Sequence, residues 1–141
     1  VTIEEGIVEW LLNDPGVASR VGSEVYQMLL PQSPILPSVR VQLIDVIDRY
    51  HLRGGVTLTT NRIQTDAFAR ESSGGDPYAE AADLGDEVFA ALSGRRFFTG
   101  GTPPAFFVTG AFRVLRRPLR EDDETRTVRM WQDFLVWCRQ T

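Results

Sequence analysis

The run Arg62-Ile63-Gln64-Thr65-Asp66-Ala67-Phe68-Ala69-Arg70 constrains this chain more than any other stretch. Arg62, Gln64 and Asp66 alternate with Ile63, Thr65 and Ala67, a period of two that belongs to a strand with one wet face and one buried face. Gly74-Gly75-Asp76-Pro77 follows. Asp76 suits an N-cap, and Pro77 suits the first helical position, where its missing N–H costs nothing. The pattern predicts a strand over 56–69 and a helix over 77–92. That helix is expected to bury Tyr78, Ala81, Ala82, Val88, Phe89 and Leu92 and to stop at Ser93-Gly94. A half-wet strand feeding a long amphipathic helix calls for a sheet with helices packed on it.

The remaining segments extend this frame. Thr2-Ile3-Glu4-Glu5 has the capping-box form, a hydroxyl followed three residues later by a carboxylate. It predicts a helix to about Asn13, with Ile3, Ile7, Val8, Leu11 and Leu12 as its apolar stripe and Asp14-Pro15-Gly16 as its end. Residues 17–21 read as one further helical turn and 25–30 as a short strand. Pro31, Pro34 and Pro37 impose an extended connection. A strand over 39–47 places Val39, Val41 and Leu43 on one face and Arg40 and Gln42 on the other; Arg53-Gly54-Gly55 is a turn. After the turn at 100–104, a strand over 105–116 carries Phe106, Val108, Phe112 and Val114 on one face. A last strand covers 128–138, and the charged segment between these two, 116–126, reads as a hairpin tip. The expected class is α+β: one domain over 1–141, an antiparallel sheet with two main helices on one face, in the order α-β-β-β-α-β-β.

Composition narrows the function. A formal net charge of −4 speaks against a general nucleic-acid binder, which carries a basic patch, but is compatible with a surface that lets DNA pass without adhering. The single cysteine, Cys138, allows no internal disulfide and no cysteine-rich metal site. No apolar run approaches the ~20 residues of a membrane helix. Glu4 and Glu5 stand where a secretion signal would be basic, so a reducing cytoplasm is the expected place of synthesis.

Few residues stand at catalytic spacing. His51 is the only histidine; it reads as a turn residue rather than a general base, and a triad with Ser72 or Ser73 lacks a nucleophile-elbow pattern. Cys138 shares a face with Phe134 and Val136 and reads as core. The Gly-Gly pairs at 54, 74 and 100 lack the spacing of a phosphate loop. Glu121-Asp122-Asp123-Glu124 are consecutive, unlike the alternating ligands of a Ca²⁺ loop. They read either as a solvated tip among Arg116, Arg117, Arg120 and Arg126, or as a specificity loop for a charged neighbour. No enzyme, cofactor or metal is expected. The last strand is the better clue. Both its faces are apolar: Val128, Met130, Phe134, Val136 and Cys138 on one, Trp131, Leu135 and Trp137 with Arg129, Asp133 and Arg139 on the other. Helices cover one face, so the other needs either the chain's own loops or a partner, and Trp with Arg is a hot-spot composition.

These segments together resemble the tail-completion, or tail-terminator, proteins of long non-contractile-tailed phages and of phage-like gene transfer agents. The resemblance runs almost end to end. It rests on the first helix with "LLNDPGVASRVGSEVYQMLLPQSPILPSVRVQLI", on "RIQTDAFAR", on "YAEAADLGDEVFAAL" and on the closing "DFLVWCR". Phe68 and Cys138 stand where the family often has Tyr. The resemblance implies a structural virion protein that forms a hexameric ring at the head-proximal end of the tail tube. There it would stop tube polymerisation and join the tail to head-completion or neck proteins, with DNA passing through the central channel unread. It implies the virion as location, the host cytoplasm during assembly, and no membrane. Arg62, Gln64, Asp66, Trp131 and Trp137 are the expected subunit contacts. Glu121, Asp122, Asp123 and Glu124 are the expected lumen-facing or partner-facing loop. The alternatives are another head–tail neck adaptor, a tail-tube ring protein, or a small α+β ligand-binding or hydrolase domain.

Overall fold

The computed structural model describes residues 1–50, 52–71 and 75–141, with backbone only at Val56 and Thr57. His51, Ser72, Ser73 and Gly74, and so the readings placed on them, lie outside the described residues. The described residues form three helices, α1 (Ile3–Leu12), α2 (Pro15–Val21) and α3 (Pro77–Leu92), and six strands. The strands are β1 (Val25–Gln27), β2 (Ser38–Tyr50), β3 (Val56–Arg70), β4 (Phe97–Thr99), β5 (Phe106–Asp122) and β6 (Thr127–Gln140). They make one sheet in the order β1-β2-β3-β6-β5-β4. All neighbours are antiparallel except β1 and β2, which run parallel.

Local chemistry sets the helix starts. Thr2 and Glu5 close the capping box on each other's backbone. Asp14 accepts from the Val17 N–H ahead of α2, and Asp76 accepts from Tyr78 N–H ahead of α3, with Pro77 inside the first turn. Each such cap is worth about 1 kcal/mol. The core lies between the helices and one sheet face. Ile3, Ile7 and Leu11 of α1 meet Leu84, Val88 and Leu92 of α3 and the inward Val39, Val41, Ile63, Phe134 and Val136. Full burial of each large aliphatic side chain contributes roughly 1.5–3 kcal/mol.

The sheet curls around this core rather than lying flat beneath it. Helix α1 touches both edges: Gln27 of β1 donates to Glu4, while Thr99 of β4 donates to the Gly6 carbonyl at 2.6 Å. The Glu9 carboxylate caps the N–H groups of Gly100 and Gly101, and Trp10 stacks on Phe97 with ring centroids 4.0 Å apart.

Several expectations need correction. The α+β class stands, but the order has a third helix (α2) and an additional strand (β4). At three residues, β4 is too short to leave a periodic signal. The segment 116–126 is mostly strand, because β5 and β6 stay paired out to Asp122 and Thr127. Tyr78 is exposed, not buried. Phe106 and Val108 face the core, but Phe112 and Val114 do not. The register slips between Val108 and Gly110, and again between Arg113 and Leu115. One extra residue at a bulge flips every following side chain to the other face.

Candidate functional site

The sheet face away from the helices carries a charged lattice. Its rows follow the strand register: Arg40, Asp66, Trp131 and Arg117 form one row, and Gln42, Gln64, Asp133 and Leu115 the next. Asp66 is fully buried at the centre. It accepts from Arg40 Nε and Nη2 at 3.2 and 3.0 Å and from Gln64 Nε2 at 2.9 Å, with Arg129 Nη1 at 3.5 Å. Asp133, also buried, accepts from Arg62 Nε and Nη2 at 3.0 and 2.7 Å and from Trp131 Nε1 at 2.6 Å. The two buried carboxylates thus hold three guanidinium groups, which lie partly exposed above them. Phe68 lies under Arg40 and Arg129, and Arg49 lies over Trp137, 5.2 Å from the ring centroid.

Of the five expected contact residues, four are half-exposed on this face: Arg62, Gln64, Trp131 and Trp137. Asp66 is on the same face but beneath it, with its carboxylate already occupied within the chain. Its physical role is to position arginines. Sequence alternation finds the face but not the depth, because burial of Asp66 depends on neighbouring strands supplying the long side chains that cover it.

The acidic run sits at the tip of the β5–β6 hairpin. Glu121 Oε1 lies 2.7 Å from Arg129 Nε, an ion pair whose atoms are not aligned as a hydrogen bond. Asp122 accepts from the Glu124 N–H at 2.9 Å, and Asp123 is 3.5 Å from Arg120. Asp123 and Glu124 are exposed to solvent. The run therefore splits: Glu121 belongs to the lattice, and the other three make the tip.

Both sides of the sheet leave strand edges uncovered. On one side β1 covers β2 only from Val39 to Val41, and residues 44–50 are exposed. Ile44, Val46, Ile47 and Tyr50 are the large apolar groups there. On the other side β4 covers β5 only from Phe106 to Val108, leaving Phe112 and Val114 exposed. Sequence reasoning missed this pair of edges, because an edge is defined by which strand is absent beside it. An open cleft of about 650 Å³ lies inside the β2–β3 arm, lined by Ile3, Val46, Asp48, Phe106, Cys138 and Arg139 among others. Burial pushes the Cys138 thiol up from its ordinary pKa, partly offset by hydrogen bonds from Thr59 and Asn61. That suits a core residue and not a thiolate nucleophile. Among the described residues, no cluster of His, Cys, Asp and Glu could hold a metal.

A sequence model of the family described as "Tail completion protein gp17" matches residues 5–139. The chain belongs to this family. It is therefore a structural protein of a phage-type tail, and its place is the virion. The fold agrees. A chain from the solved "Virion of native gene transfer agent (GTA) particle" superposes with a TM-score of 0.64 at 20% identity, covering 98% of this chain and 93% of that one. No curated protein sequence matches this one. For a tail-completion protein, the lattice and the two open edges are the surfaces of interest, since its work is contact with other proteins.

Proposed function

We propose that this protein forms a hexameric ring on the head-proximal end of the tail tube. The ring stops tube polymerisation and presents a surface to the head-completion or neck proteins, and DNA passes through its centre. Family membership supports the tail role. The observation that carries the ring is the two-sidedness of the sheet. A closed ring of identical subunits uses heterologous contacts, so each copy must bear two different patches on opposite sides. Ile44, Val46, Ile47 and Tyr50 stand on one side, and Phe98, Phe112 and Val114 on the other. Apolar groups exposed on both flanks of a monomer are surface for association.

Arg62, Gln64, Trp131 and Trp137, with Asp66 as their support, form a second surface in this reading, shared between neighbouring subunits. The tip at Asp122, Asp123 and Glu124 faces the lumen or a tail or head partner. A net charge of −4 keeps such a conduit from holding DNA phosphates. No catalytic role is proposed for the chain.

Electron microscopy of particles made with this gene disrupted tests the reading. Overlong or ragged tubes beside separate DNA-filled heads are expected. Normal joined particles would refute it. Full heads with unjoined tails of correct length would make the protein a neck adaptor.

A further inference from the structure

The two uncovered strand edges differ in charge. On β2, Asp45 and Asp48 are exposed, and neither has an ion-pair or hydrogen-bond partner among the described residues. On β5, Arg113, Arg116, Arg117 and Arg120 line residues 113–120. Arg113 lies over Phe89 and Arg116 pairs with Asp86, both toward the helices. Arg117 is exposed and has no partner among the described residues. Natural proteins protect open strand edges because unpaired N–H and C=O groups recruit another strand. Here both edges are long, apolar in part, and opposite in sign.

Strand direction allows the two edges to meet. β2, β3, β6 and β5 alternate without interruption, so β2 and β5 of one copy point in opposite directions. Copies repeated side by side in the same orientation therefore bring β2 of one against β5 of the next as an antiparallel pair, and each sheet face continues on the same side. We infer that the subunits of the ring are joined by this pairing: the 45–50 edge of β2 adds to the 112–117 edge of β5 in the neighbouring copy. The inference rests on the ring reading above.

The alignment that uses both charges sets Asp45 opposite Arg117 and Val46 opposite Arg116. Within one copy, Asp45 is level with Arg62, Leu135 and Phe112. The contact thus offsets neighbours along the strands by about five residues, roughly 17 Å at the rise of an antiparallel strand. Closing a sheet into a ring requires a stagger of this kind. Main-chain hydrogen bonds would supply affinity, and the aspartate–arginine pairs would fix the register, as in other strand-addition contacts.

Charge reversal in assembling particles tests this. Asp45→Arg and Arg117→Asp each place like charges against each other across the contact. Neither side chain has a partner among the described residues, so folding, checked by circular dichroism, should be unchanged. Each single variant is expected to lower the yield of joined particles at least about tenfold, the cost of roughly 1.4 kcal/mol per contact. The double variant, with the pair swapped, should restore most of it. Normal yield from both singles, or no restoration by the double, would overturn the edge pairing while rings persist in micrographs. Particles that carry this protein as a single copy would overturn the ring itself.

Discussion

Replacing Asp66 with Ala should lower the stability of the folded chain by about 2–4 kcal/mol. Asp66 is fully buried, and its two oxygens meet Arg40, Gln64 and Arg129. Removing one partner of a buried pair costs ~3–5 kcal/mol, because the remaining charge stays behind unpaired. The arginines here are not fully buried: the side chains of Arg40 and Arg129 keep 20% and 19% of their exposure. Water can therefore take up part of the lost interaction, which brings the range down. Arg129 also keeps Glu121 nearby, whereas Arg40 is left with its stacking on Phe68 and the side-chain amide of Gln42. In a chain of this size the loss corresponds to a fall in Tm of roughly 7–14 °C. Urea unfolding with linear extrapolation gives the free energy directly. The paired measurement is the double variant Asp66→Ala with Arg40→Ala, which should cost clearly less than the sum of the two singles. A loss under about 1 kcal/mol for Asp66→Ala, or strict additivity in the double variant, would refute the view that this carboxylate organises the face.

Three further outcomes follow from the geometry. A Cβ at Gly85 would stand 3.0 Å from Met130 Cγ and 3.1 Å from Gln132 Nε2. Overpacking there outweighs the better helix propensity of alanine, so Gly85→Ala should lower stability by about 1 kcal/mol in urea unfolding; a gain would mean that Met130 yields freely. The Cys138 thiol, pushed by burial above the ordinary pKa of a cysteine, should resist a disulfide reagent at pH 8 until the chain is unfolded. The folded state keeps this proton where the unfolded state releases it, so stability should fall as pH rises above about 9; a flat profile there would contradict the burial. Asp122→Ala with Asp123→Ala should leave the melting curve within about 0.5 kcal/mol of the parent, as for other exposed sites, while reducing the yield of joined particles. Normal joining would remove the tip from the proposed function.

Sequence alone determined what depends on near neighbours. The capping box at Thr2 and Glu5, the Asp76-Pro77 start of α3 and the alternation of 62–68 are written within a few residues, and the structure reproduces them. The tail-completion resemblance was legible for the same reason, since it rests on runs of local pattern along most of the chain. Tertiary structure decided whatever depends on which strand lies beside which. The bulges near Thr109 and Val114 turned Phe112 and Val114 outward, and a strict period of two could not reveal that. Asp66 looked like any wet-face carboxylate until β2 and β6 brought Arg40 and Arg129 over it. The open edges of β2 and β5 exist because β1 and β4 are short and each covers only the first few residues of its partner. Local sequence fixes a residue's conformation, but exposure is a property of the whole packed sheet, set by register and strand order.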